Sequence, residues 1–324
     1  MGDPAGIGPE IVAKAFANEN LRRTCRAAVV GDARLMKTAV SRYAPGVSVR
    51  AVAKLEDARF EDAAMDVIDL RNVPENLAPG RPSAEGGNAA VEYIRAAADL
   101  ALQRRVDAMV TAPINKEAIH LAGHRYPGHT ELLAEYTGAG DFALMLAGSK
   151  LRVVLATTHI ALKDVKTHLT REKVLRTLLV THRWLERHVD ENPRIAVAGL
   201  NPHCGDGGIF GEEEADIIVP AIEDARQEGA NVSGPFSADA LFARARSGEY
   251  DAVVAMYHDQ GMIPIKMESM GHAVNVTLGL PIIRVSVDHG TAYDIAGKGV
   301  ASAESLMEAV KAAATFVKSS LVHK

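Results

Sequence analysis

Histidine is sparse in this chain, 12 among 324 residues, so where it falls carries information. Short runs of small and β-branched residues end in motifs rich in reactive groups. Val110 leads into Thr-Ala-Pro-Ile-Asn-Lys, Ala156 into Thr-Thr-His, Ala198 into Gly-Leu-Asn-Pro-His, Ala255 into Met-Tyr-His-Asp-Gln and Val287 into Asp-His-Gly-Thr. Four of these five exits bear an imidazole: His159, His203, His258 and His289. Taken singly, each reads as a capping or solvated side chain; their common position at strand exits argues for a shared site. Neutral imidazoles are the commonest ligands of zinc-like ions, and three of them leave one coordination position open to a substrate oxygen. His159, His203 and His258 fit that task from separate loops, although separations of 44 and 55 residues match no compact zinc motif. Asp259 and Asp288 stand beside them as groups that orient an imidazole, take a proton, or cap the following helix.

Groups able to hold an anion are also placed at or near these exits. Lys116, Lys266 and Arg284 are single basic residues, arginine suited to bidentate and lysine to point-charge binding of phosphate or carboxylate, unless they simply snorkel at the surface. Gly128-His129-Thr130-Glu131 offers adjacent imidazole and hydroxyl donors, or a helix start capped by Thr130. The opening Met1-Gly-Asp-Pro-Ala-Gly-Ile-Gly-Pro-Glu-Ile sets glycines before a helix beginning near Pro9, where backbone N–H groups can receive an anion; a plain glycine-rich turn is the other reading. It lacks the Lys-Ser/Thr of a P-loop, and no Gly-x-Gly-x-x-Gly fingerprint of a Rossmann dinucleotide fold occurs in the chain.

The elements that must position these groups are short strands alternating with helices. Strands are expected at Ala27 to Val30, Ala108 to Val110, Val153 to Ala156, Ile195 to Ala198, Ala252 to Ala255 and Arg284 to Val287, which implies parallel βαβ construction. Helices are expected from Gly87 to Arg105, after a Thr170 cap with Val174, Leu175, Leu178 and Leu185 on one face, from about Glu212 to Gln227, and after Ser302. In open α/β sheets the ligand crevice lies at the carboxyl ends of the strands, where the motifs above fall.

A net charge of −5, with 24% charged and 48% hydrophobic residues, is ordinary soluble composition and gives no electrostatic footprint for nucleic acid or anionic membrane. Cys25 and Cys204 are the only cysteines, which argues against a disulfide scaffold and for a reducing, cytoplasmic setting. No window is apolar enough for a membrane span.

The collected motifs resemble the 4-hydroxythreonine-4-phosphate dehydrogenase family of pyridoxine (vitamin B6) biosynthesis over essentially the whole chain. They are GDPAGIGPEI from Gly2, TAPINK from Thr111, GHTE from Gly128, TTH ending at His159, GLNPH ending at His203, FGEEE from Phe210, MYHDQG from Met256, NVTLGLP from Asn275 and DHGTAYDIAGKG from Asp288. The last is also similar to the cofactor loop of isopropylmalate dehydrogenases. The resemblance implies the isocitrate/isopropylmalate dehydrogenase-like α/β fold, two α/β subdomains about a central cleft. The expected division is 1–122 plus 300–324, and 123–299 with the metal and dimer elements. It implies NAD as cofactor, with Gly290, Thr291, Asp294 and Gly297 at the adenosine half, and substrate contacts at His129, Thr130, Lys266, Asn275 and Arg284. A divalent metal is implied on His159, His203 and His258, Zn²⁺ first, with Mg²⁺, Co²⁺ or Ni²⁺ as alternatives. The homodimer it implies shares its active sites, His159 and His203 from one chain and His258 from its partner.

The activity so implied is NAD-dependent oxidation of a phosphorylated four-carbon 3-hydroxy acid followed by decarboxylation. Asp259 or a metal-bound water would take the hydroxyl proton, and Lys266, counted with Asp259 as catalytic, would hold an anionic end together with Arg284. A paralogue branch acts on D-threonate or D-erythronate 4-phosphate, and HLAGHRYPGHTELLA, TTHIAL and ARFEDAAMDVIDL lean toward it. Cys204 and Asp206 stand where the family more often has alanine and glutamate. The chain opens inside the first motif, without the short strand that usually precedes it, so Met1 is expected to be an internal residue of the natural protein. The competing class is a metal-dependent hydrolase or lyase acting without nicotinamide.

Overall fold

The computed structural model describes residues 1–270 and 272–322. Its strands are β1 (Ala28–Gly31), β2 (Ser48–Val52), β3 (Ala64–Asp69), β4 (Ala108–Thr111), β5 (Ala143–Ala147), β6 (Arg152–Leu155), β7 (Ile195–Ala198), β8 (Val232–Phe236), β9 (Ala252–Ala255), β10 (Val274–Leu278) and β11 (Ile283–Ser286). They alternate with helices in the expected α/β manner. The chain forms two compact units, one of Met1–Gly138 with Pro281–Thr315, the other of Ala139–Leu280 with the end of the chain from Phe316. Residues 123–138 and 281–299 thus pack with the first unit.

In the first unit β1, β3 and β2 form a parallel sheet in that order, and β4 pairs in parallel with β11. Ile11, Met36, Met65, Val67, Val287 and Leu306 belong to one buried cluster that ties the helices to these strands. The helix Ala33–Tyr43 begins at Asp32, whose carboxylate accepts from the Arg34 and Leu35 amides; Ser83 caps Ala84–Leu102 through the Gly86 amide. Gly87 is needed for close approach, since a Cβ there would sit 2.0 Å from the Ala118 carbonyl of the helix Lys116–Leu121.

In the second unit the strand order is β10-β5-β6-β9-β7-β8. β6, β9, β7 and β8 run parallel, and β7 and β9 are buried along their whole length, the near-continuous apolar strands of a covered parallel sheet. The strands expected from the sequence pair in parallel, and the exception is β5, for which no strand was expected and which runs antiparallel to both β10 and β6. The cause is local: β5 and β6 are joined by a tight hairpin through Gly148 and Ser149, closed by the Gly148 amide on the Leu151 carbonyl at 2.8 Å. The helix Arg171–His188 is capped by Thr170 as expected. The helix expected from Glu212 instead opens with a wide π-turn, Glu214–Ile218, before Val219–Gln227. Among the described residues no helix is long and apolar enough to cross a membrane.

Candidate active site

Strand order decides which exits can meet. β9 lies between β6 and β7, so the segments after Leu155, Ala255 and Ala198 leave the sheet side by side. Two polar side chains lace them. Thr157 Oγ1 donates to the Met256 carbonyl at 2.6 Å, while Gln260 accepts from the Met256 amide at 2.7 Å and donates to the Gly199 carbonyl at 2.6 Å. A buried glycine completes the fit: a Cβ on Gly261 would meet Val153 and Leu155 at 2.7 Å, so only glycine lets the helix His258–Ser269 lie this close to β6.

This framework brings His159 and His258 together, with ring centroids 5.6 Å apart. Asp259 Oδ1 lies 2.7 Å from His258 Nδ1, which assigns the ring proton to Nδ1 and leaves the Nε2 lone pair for a cation. Both rings line a cavity of about 190 Å³ with Thr158, Ile160, Leu162, Val165, Tyr257 and Asp259. Asp259 therefore does not cap its helix, which starts from Tyr257 without a side-chain cap. Two adjacent imidazoles fit a borderline divalent ion by donor chemistry. Among the described residues, however, no third histidine, cysteine or carboxylate joins them as a metal-binding group. His203 is exposed on a loop of consecutive left-handed residues from His203 to Gly207, and His289 points its Nδ1 at the Gly290 carbonyl in the other unit. Lys266 sits eight residues beyond His258, about 12 Å along the helix at 1.5 Å per residue, and is not part of the cavity wall. Asn275 is half-buried on β10.

The remaining expected substrate contacts lie in the first unit. Arg284, on β11, is 3% exposed, and its Nη2 donates to Thr111 Oγ1 at 2.8 Å across the β4–β11 pairing. Burial pulls its pKa down to about 10, with nearby Glu131 opposing, so it stays charged at neutral pH. His129 starts the helix His129–Thr137 from Gly128, so Thr130 is not the cap that its spacing suggested. The His129 Nε2 is shut off from solvent without a hydrogen-bond partner, and burial, then the Arg284 charge, holds the ring's pKa well below the usual imidazole value.

The Asp288 motif also belongs to this unit. Gly290 and Gly297 face open space, with no atom within 4 Å of where a Cβ would stand, and Asp294 and Lys298 are exposed. An open backbone flanked by polar side chains is a surface that a nucleotide can approach closely. The glycine turn that opens the chain does not keep its amides for an anion. Ala5 donates to Asp3 Oδ1, Gly6 to the Asp3 carbonyl and Ile7 to the Thr291 carbonyl.

Residues 23–313 match the family model described as pyridoxal phosphate biosynthetic protein PdxA. The chain belongs to the PdxA family. It is 51% identical to a 4-hydroxythreonine-4-phosphate dehydrogenase of Geobacter metallireducens, over 98% of this chain and 94% of that protein. It is 47% identical to a D-threonate 4-phosphate dehydrogenase of Cupriavidus necator, over 96% and 94%. Its fold is that of the crystal structure of 4-hydroxythreonine-4-phosphate dehydrogenase from Klebsiella pneumoniae, with TM-score 0.93 at 44% identity over 98% and 96% of the two chains. PdxA-family relatives named as dehydrogenases at this identity and coverage make the chain an oxidoreductase.

Thr157 and Gln260 in one unit and Thr111 in the other are positioning groups that residue types did not single out. Each sits inside a motif quoted above, but its task is to bond another exit or another site residue, which only strand adjacency reveals.

Proposed function

We propose that the chain uses NAD to oxidise the 3-hydroxyl of a 4-phosphorylated four-carbon acid, and that loss of carboxylate from the resulting β-keto acid follows. The observation that carries this reading is the His159–His258 pair beside a shaped cavity at adjacent strand exits, in a chain matched almost end to end by dehydrogenases named for such substrates.

His159 and His258 would hold a divalent cation, Zn²⁺ being the choice that imidazoles favour. When bound, such an ion supplies positive charge that acidifies the substrate hydroxyl and offsets the negative charge that develops on decarboxylation. NAD supplies the hydride acceptor, placed by Gly290, Thr291, Asp294 and Gly297. Asp259 fixes the His258 tautomer, a task that engages Oδ1 and makes it an orienting group before it is a base. Arg284 holds an anionic end of the substrate, its guanidinium aimed by Thr111. His129, kept neutral, gives its partnerless Nε2 to a substrate hydroxyl, with Thr130 beside it. Lys266 and Asn275 supply the remaining polar contacts.

We further infer a homodimer in which the partner's His203 completes the pair. This reverses the division that the resemblance implied: His159 and His258 already adjoin within one chain, and His203 is the ligand left over. Apolar side chains without cover support an interface on the same unit. Ile263, Met267 and Met270 recur at helical spacing and are 58%, 76% and 84% exposed, with Leu162 and Ile209 at 72% and 74%. A reducing cytoplasm suits the free Cys25 and Cys204.

One assay tests the reading. NADH absorbance should grow with 4-phosphohydroxythreonine, D-threonate 4-phosphate or D-erythronate 4-phosphate, and the fastest names the branch. Product formed while NAD stays unchanged would replace the dehydrogenase with the hydrolase or lyase reading.

A further inference from the structure

Asp3 and Glu10 are 1% and 2% exposed, and both turn toward the loop that follows β11. The Tyr293 hydroxyl donates to Asp3 Oδ2 at 2.5 Å, while Asp3 Oδ1 takes the Ala5 amide at 2.8 Å. Seven residues on, Glu10 Oε1 accepts the Ala301 amide at 2.8 Å and Oε2 the Gly299 amide at 3.2 Å. Lys14 Nζ, 2.8 Å from Glu10 Oε1, donates to the carbonyls of Gly299 and Ala301 at 2.9 and 2.7 Å. The Ile7 amide adds a bond to the Thr291 carbonyl at 3.0 Å. Gly6 allows this approach, for a Cβ there would stand 2.9 Å from Thr291 Cβ. The two ends of the loop are thus tied to the opening segment by buried carboxylates, while its middle, Asp294, Gly297 and Lys298, faces solvent. Hydrogen bonds from amide or hydroxyl to a buried carboxylate are strong and directional, so they fix a shape as well as contribute stability.

We propose that Asp3 and Glu10 are positioning residues for the dinucleotide: acting through Tyr293 at one end and the Gly299–Ala301 backbone at the other, they hold the loop in the shape that binds the adenosine half. The inference rests on the reading of this loop as the NAD site. Neither carboxylate reaches the exposed middle of the loop, so their effect on NAD passes through the backbone they hold.

The test uses the full chain bearing Tyr293→Phe, Asp3→Asn or Glu10→Gln, with circular dichroism and Tm confirming the fold. NAD affinity is measured by calorimetry, alongside KM for both substrates, and amide exchange maps the NAD footprint on the unsubstituted protein. The Kd and KM for NAD should rise about tenfold, as expected when a buried partner is lost. The kcat at saturating NAD and KM for the phosphorylated acid should stay within about twofold. Tyr293→Phe, which removes a single hydroxyl, is the mildest and keeps the test valid if the carboxylate variants unfold. An NAD footprint on 288–301 with unchanged Kd in a folded variant would overturn the positioning role alone, as would equal losses in kcat and both KM values. A footprint elsewhere would overturn the loop assignment and the positioning role with it.

Discussion

The two places where this chain gathers reactive side chains are finished in opposite ways. Arg284 and Thr111 are buried and bonded to each other, with half-buried Glu131 nearby to offset the guanidinium charge. Around His159 the rings stand at a more exposed rim, where Asp259 bonds one of them. A guanidinium cannot be taken out of water without acceptors, so its companions must be built into the same unit. Imidazoles facing solvent carry no such cost, so a pair of them is tolerated without further partners. On the proposed reading, the contrast would set a preorganised anion grip in one unit against a centre in the other that depends on assembly.

The hardest blow to this comparison is aimed at the exposed pair. Exhaustive chelation, or His258→Ala, should lower kcat/KM by at least about 10³-fold, since the charge stabilisation an ion gives is several kcal/mol. Zn²⁺ should restore the chelated protein and not the variant. Full activity without metal would reduce the pair to a structural contact.

Next comes the buried corner. Arg284→Gln should cost about 2–5 kcal/mol in kcat/KM, because a desolvated anion loses its partner. A dephosphorylated or decarboxylated substrate analogue shows which anion is held: the one whose removal adds no further loss in the variant. His129 gives the corner a pH signature. Its native pKa is depressed, so below the ordinary value of 6.5 the unfolded chain binds a proton that the native ring refuses. The stability it contributes is complete above that pH and is lost as pH falls toward the native pKa. His129→Gln should therefore flatten the decline of Tm on the acid side of pH 6.5; an unchanged slope would mean the ring titrates normally.

How much of this could be read beforehand follows from the same physics of burial. β6, β7 and β9 were legible because strands covered on both faces are continuous apolar runs. β2, Ser-Val-Arg-Ala-Val, buries only Val52, and β8 contains Gly234 and Pro235, so neither announces itself. β5, Ala-Leu-Met-Leu-Ala, carries helix-favouring residues, and its reversal depended on the Gly148-Ser149 turn, a signal present but unread. His159 and His258, whose ring centroids the fold brings to 5.6 Å apart, were legible because strand exits concentrate histidines. Their grouping was not, because the adjacency of β6 and β9 and the left-handed run from His203 to Gly207 are properties of the folded backbone. The opening glycines illustrate the converse: their spacing suggested an anion site, and the acceptors that occupy their amides lie on Asp3 and on distant Thr291.

A smaller effect separates orientation from ligation at the exposed pair. Asp259→Asn keeps the size of the group but removes the charge that holds the His258 Nδ1 proton. Metal affinity should fall about 10–100-fold while saturating metal recovers most of kcat. If kcat stays low at saturating metal, Asp259 takes part in proton transfer and the two roles must be exchanged.

The smallest departure from wild type is also the one that decides whether the exposed centre is completed by a second copy. Three inactive variants, His159→Ala, His203→Ala and His258→Ala, are co-expressed in pairs under different tags. Random pairing makes about half the dimers mixed, and a mixed dimer in which both lesions fall in one site keeps the other intact, so about a quarter of wild-type activity returns. With His159 and His258 from one chain and His203 from the partner, His159→Ala complements His203→Ala, and His159→Ala with His258→Ala stays dead. The opposite division, His159 with His203, inverts those two results, while His203→Ala with His258→Ala recovers under both. If no pair recovers although tagged heterodimers are isolated, every ligand comes from one chain, and His203 of that chain must then join the pair when the ion binds.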